Sequence, residues 1–163
     1  MNSPTRIPQA QSVYNLATLT FACNMKRLLL LSTLLLALNS HAQTFPVTSL
    51  NIGVHLIRAE VATTDEERAR GLMFRGQLGQ NEGMVFRFPE ARQVCMWMKN
   101  TLLPLSVAFI GVDGKIINIE DMKPGTLDAH CGKKPARYAL EMHQGWFKER
   151  NIKPGMPVSG LPK

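Results

Sequence analysis

Cysteine is scarce here, three residues in 163, which excludes a miniprotein held together mainly by disulfides. Long apolar runs are also missing. The longest, Leu28 to Leu38 with Ser32 and Thr33 inside it, falls well short of the roughly 20 residues that a bilayer span requires. No heptad pattern, Gly-X-Y period or internal repeat is present, and 45% of the chain is hydrophobic with 19% charged. Coiled coil, collagen and disorder are thereby excluded, and the length suits one ordinary domain. There is no Cys-x-x-Cys, no glycine loop for a nucleotide, no Ser-His-Asp order and no paired-carboxylate constellation. The residues alone therefore support no enzyme assignment.

What is present begins with an export pattern. Met25-Lys26-Arg27 is a short basic segment, the apolar run follows, and Asn39-Ser40-His41-Ala42 ends on small residues suited to cleavage before Gln43. Met25 to Ala42 reads as a removable signal peptide. Residues 1–24, polar and patternless, read as lying ahead of the true start at Met25. A leader left uncleaved would instead serve as a membrane anchor, whereas cleavage leaves no stable membrane span and delivers a domain of residues 43–163 to the periplasm. That domain has 16 Lys plus Arg and 12 Asp plus Glu, a net charge of +4. Its basic residues are spread singly except for Lys133-Lys134-Arg137, with no interleaved aromatics, so nucleic acid is not an expected partner.

Twelve glycines and ten prolines predict many turns and short elements. Leu50, Ile52, Val54 and Leu56 alternate with polar residues as in one half-buried strand running on to Val61-Ala62. Thr64-Asp65-Glu66-Glu67 is a capping box opening a short helix over 65–71. Further strands are predicted at 84–88, 94–98, 105–110, 115–122 and 136–142, with a last short helix near 145–150. Val112-Asp113-Gly114 marks a hairpin with a type I′ turn between two antiparallel neighbours. The expected fold is mainly β, a compact, mostly antiparallel sandwich or barrel carrying one or two short helices.

Cys95 and Cys131 are an even pair in a chain sent to an oxidising compartment, which makes a disulfide the first reading. The alternative is a reactive thiol with His130 as its base. Met96, Met98 and His143 would suit Cu(I), although methionines fill cores as readily. His55, His130 and His143 lack zinc-ligand spacing, and neither a metal nor a cofactor is expected. Trp97, Lys99, Asn100 and Thr101 end a strand with an aromatic ring and polar groups, as a binding loop would, although Asn100 and Thr101 could equally satisfy their own turn. Glu141, flanked by Leu140 and Met142, reads as an outward charge or as a partner of Lys99 or Arg75.

Ala62-Thr63-Thr64, the stretch Glu66 to Arg75 containing Gly71-Leu72-Met73-Phe74, Gly83-Met84-Val85-Phe86, Trp97-Met98-Lys99-Asn100-Thr101 and Pro104-Leu105 together closely resemble the bacterial and archaeal family called domain of unknown function 192. Asp113-Gly114-Lys115-Ile116, Pro135-Ala136, Tyr138, Leu140-Glu141 and Gly145 continue the likeness over nearly the whole domain. The resemblance implies a compact, mainly β, commonly exported domain with no established activity. By the same analogy Arg75, Trp97, Lys99, Asn100, Thr101 and Glu141 are the polar and aromatic members of its motifs, and so the residues expected to line a site. Ser106 stands where the family often has Asp, and many members lack the two cysteines. The expected role is binding of a small polar ligand or a cell-envelope partner, with a hydrolase, a redox enzyme or a copper handler as the alternatives.

Overall fold

Residues 44–163 are described by a computed structural model; the signal-peptide and start-site expectations fall outside them. Strand β1 (Val47–Ile52) turns through Gly53-Val54 into β2 (His55–Ala62), and helix α1 (Asp65–Arg70) follows. Next come β3 (Glu82–Arg92), β4 (Cys95–Met96), β5 (Leu105–Ile110), β6 (Ile116–Met122), β7 (His130–Cys131), β8 (Ala136–His143), helix α2 (Trp146–Glu149) and β9 (Val158–Ser159). Seven strands form one curled sheet in the order β6-β5-β8-β3-β2-β1-β9, and β4 and β7 form a separate two-stranded ribbon. The mainly β expectation holds.

Two local expectations are corrected. The alternation from Leu50 to Leu56 does not belong to one strand. Leu50 and Ile52 are fully buried, Val54 is 93% exposed, and β2 buries Ile57, Ala59 and Val61 instead. Hydrophobic period does not register a two-residue turn, which preserves alternation while reversing the chain. In the second hairpin β5 and β6 pair antiparallel as predicted, from Leu105 opposite Met122 to Ile110 opposite Ile116. Only Gly114 takes positive φ there, at 73°, while Asp113 does not and its carboxylate accepts from the Lys115 amide. The turn is therefore not type I′, which requires positive φ at both central residues.

The pair β2 and β3 is parallel. Parallel neighbours need a crossover of a dozen or more residues, and α1 with its following loop supplies it. The capping box closes as read: Thr64 Oγ1 accepts from the Glu67 amide at 3.1 Å and Glu67 Oε2 accepts from the Thr64 amide at 2.9 Å. Those backbone donors hold the Glu67 carboxyl below its ordinary range. No residue of α1 itself is buried, and Leu72 just beyond it anchors the crossover.

Because the sheet curls, both of its faces are covered. Leu140 and Met142 of β8 join a cluster with Leu50, Ile57, Trp146 and Phe147. Ala139 on the other face joins Met84, Phe86, Met98, Val107 and Met122. The described residues form one compact unit, and no helix among them is long and apolar enough to cross a membrane.

Candidate functional site

The second face of the sheet is roofed incompletely. Its cover is the β4–β7 ribbon, closed by the Cys95–Cys131 disulfide, and the loop that continues from Met96 to Thr101. Asn118 on β6 fastens the ribbon by donating to the Cys131 carbonyl at 3.2 Å and accepting from the Lys133 amide at 2.9 Å. Met98 plugs the core beneath, and the Thr101 amide closes the turn onto the Met98 carbonyl at 3.0 Å. Asn100 sits at the tip with φ 55°, a left-handed conformation that asparagine tolerates better than most residues.

That turn meets the end of the α1 crossover. The Phe74 amide donates to the Asn100 carbonyl at 2.9 Å, so the two segments most characteristic in the sequence are joined in space. Phe74 itself has φ 61° and stays 70% exposed, an uncommon arrangement for a bulky side chain. Gly71 has φ 47°, and a Cβ there would come within 3.2 Å of the Phe86 ring. Glycine lets the chain pass directly over that ring.

Between the crossover and the ribbon lies a cleft of about 230 Å³. Trp97 and Met96 are its more exposed walls, and Phe86, Phe88, Thr101 and Glu141 line it from the buried part of the domain. Glu141 is 4% exposed. Its cross-strand neighbours, Met84 on β3 and Val107 on β5, are fully buried and apolar. The other buried polar residues among the described residues have partners: Ser106 with Asp121 and the Gly145 amide, Asn118 with Cys131 and Lys133, and Thr101 with the Lys99 carbonyl, while the half-buried Arg87 keeps a buried Nε without a partner away from this cleft. Glu141 has neither a hydrogen bond nor an ion pair within the described residues, and burial alone pushes its acidity up to about 8 from an ordinary value of 4.5. At neutral pH it is a carboxylic acid facing the cleft.

The expected site residues divide accordingly. Trp97, Thr101 and Glu141 share the cleft. Lys99 stands beside it, with its ammonium 5.6 Å from the Trp97 ring centroid. Asn100 shapes the wall from behind through its backbone, and Thr101 satisfies its own turn as well as lining the cleft. Arg75 is elsewhere engaged, donating to Glu60 at 2.5 Å. The two pairings considered for Glu141 do not form, and it is not an outward charge, because the face of β8 opposite Leu140 is itself covered. Met96 lines this cleft, Met98 is core, and His143 lies in another cleft with its Nε2 2.6 Å from the Leu78 carbonyl. Among the described residues no group of three or more His, Cys, Asp or Glu side chains is placed to hold a metal ion.

Sequence reasoning passed over Arg68 and Arg92. Both guanidiniums lie 5.5 Å from the Phe88 ring centroid. Arg68 is tied down by the Thr63 and Arg87 carbonyls and by Asp65, whereas Arg92 is exposed at the end of β3. The spacing of Phe88 and Arg92 carries no motif, and only the bend of β3, marked by the register shift between Arg87 and Arg92, brings them to the cleft.

Residues 47–160 match the family DUF192, described as an uncharacterized ACR. A solved candidate transcription regulator from Sinorhizobium meliloti 1021 is 34% identical, with TM-score 0.70 over 72% of this chain and 96% of its own. A solved protein of unknown function from Novosphingobium aromaticivorans DSM 12444 is 32% identical, with TM-score 0.67 over 76% of this chain and 91% of its own. No curated protein matches the sequence.

Proposed function

The chain belongs to the DUF192 family, and from that premise we propose that it is an exported cell-envelope domain that binds a small polar ligand in the cleft between the α1 crossover and the β4–β7 ribbon. The observation that carries this reading is the unpartnered carboxyl group of Glu141 at the cleft. A carboxyl group that lines a cleft and has no protein partner is open to a ligand's hydrogen bond. The cleft volume, below the roughly 300–1,000 Å³ typical for drug-sized ligands, argues for something small. Trp97, half exposed beside it, supplies a stacking surface that the fold covers only in part. The export part of the reading rests on the basic, apolar and small-residue succession of residues 25–42.

A protonated acid in a cleft is also what general acid catalysis employs, and this is the observation favouring the enzymatic alternative. The two readings separate in one experiment on protein recovered from the periplasm of an expressing bacterium. Denatured mass spectrometry should give a chain beginning at Gln43 and two hydrogens light, and the native spectrum should carry extra mass that Glu141→Ala loses. Recovery with residues 25–42 still attached would overturn cleaved export. An unliganded native protein that converts members of a substrate panel with saturation would replace the binding reading with the enzymatic one.

A further inference from the structure

The charges around this cleft are distributed unevenly, and their distribution selects among ligands if the binding reading above is right. Lining the cleft with Glu141 are Asp65, Arg68 and Arg70 from α1 and Arg92 from the end of β3. The ribbon and its loop bring Cys95, bonded to Cys131, and the uncharged Met96, Trp97 and Thr101. The sheet neighbours of Glu141 bring only Met84 and Val107. Asp65 and Arg68 pair with each other, so both charges cancel locally, and Arg92 supplies positive charge at the rim. The mouth is therefore positive, a field that draws anions in and repels cations.

The floor imposes a second condition. A protonated carboxyl has one O–H to donate, so Glu141 seeks an acceptor, and its hydrogen bond is strongest to an ionised oxygen. The walls impose a third. Phe86 and Phe88 are almost wholly covered, by the chain at Gly71 and by the Arg68 and Arg92 guanidiniums, so the ring surface offered to a ligand is that of half-exposed Trp97, which suits a flat apolar body rather than a chain of hydroxyls.

We propose that the cleft takes a small carboxylate carried on a flat, aromatic or similarly apolar body, the carboxylate accepting a hydrogen bond from Glu141 while Arg92 supplies the countercharge from the rim. No bond is made or broken. Above the acidity of Glu141 the floor and the ligand would both be anionic, so binding weakens at alkaline pH.

The test titrates benzoate, benzamide and benzylamine into the isotopically labelled domain and follows the Trp97 indole and the Gly71 to Met73 amides by NMR. Benzoate is expected to bind best and benzylamine worst. Arg92→Ala should weaken benzoate by about tenfold while leaving benzamide unchanged. Benzoate affinity should hold between pH 6 and 7 and fall, by about tenfold per unit, once pH exceeds about 8. Glu141→Gln, which keeps a donor and cannot ionise, should retain binding and lose that fall. Benzamide or benzylamine binding best at the same resonances would overturn the carboxylate class and leave the cleft as a binding site. Movement of none of these resonances by any of the three probes would overturn both.

Discussion

Alternate residues of β8 face two interiors finished in opposite ways. Leu140 and Met142 look into a cluster closed by Trp146 and Phe147 of α2, with Trp146 Nε1 donating to Asn81 Oδ1 at 3.2 Å and the Arg150 guanidinium 4.5 Å from its ring. Ala139 and Glu141 look toward a cover made of a short two-stranded ribbon, a disulfide and a loop, which leaves a cleft and an acid without a partner. The first interior shows how this chain stabilises itself, with a large aromatic ring whose polar atom is satisfied. The second departs from that practice at the Glu141 carboxyl group, which lines a cleft, whereas the other unpartnered buried atom, Arg87 Nε on β3, does not line it, and so the cleft carries the functional reading.

The largest effect is expected at Trp146, which fills the closed face. Trp146→Ala should cost about 3–5 kcal/mol of unfolding free energy in denaturant titrations, because it empties a filled site. A loss under 1 kcal/mol would mean that the closed face is not the stabilising one. Replacing Cys95 and Cys131 together by Ser should cost about 2–4 kcal/mol, since the bond joins residues 36 apart. Benzoate binding by the variant's folded fraction should persist; its disappearance would make the disulfide part of the site rather than its frame.

A finer test uses pH. The folded chain keeps the Glu141 proton up to about 8 while the unfolded chain releases it near 4.5, so folding takes up a proton in between. Stability of the natural protein should therefore fall as pH rises through that window, by roughly 1 kcal/mol per unit from this group, and level off above it. Glu141→Gln removes the group's contribution, so the variant should gain on the natural protein steadily from pH 5 to 8 in thermal melts. A constant difference across the window would place an ionised carboxylate in the fold. The smallest effect on stability is expected from Trp97→Ala, within about 0.5 kcal/mol, as for an exposed side chain. Its benzoate affinity should nonetheless drop; unchanged binding would remove Trp97 from the site.

Much of the architecture was legible because it is local. The Asp-Gly turn with apolar runs on both sides identified β5 and β6, Thr64 and Glu67 identified the start of α1, and the even pair of cysteines identified the bond. The β1–β2 turn was missed because Val54 and Leu56 continue an alternation that the chain reverses without interrupting. Trp97, Thr101 and Glu141 were marked as candidates from separate segments, yet nothing along the chain said that they meet or that Arg75 would turn away to Glu60. Arg68 shows along the chain only its i,i+3 pairing with Asp65, and Arg92 shows nothing, since an arginine's place at the cleft depends on which ring the fold puts beside it.

By itself, then, the sequence determined the family, the mainly β class, the helix cap and the strands whose periodicity is uninterrupted, all of which follow from interactions between residues a few positions apart. Only the tertiary structure decided that Glu141 is buried rather than outward. A strand's pattern tells which residues share a face, but whether that face meets water depends on how far the sheet curls and on what the distant ribbon of Cys95 and Cys131 lays over it. The acidity of the carboxyl group, and with it the chemistry of the cleft, is set by that cover.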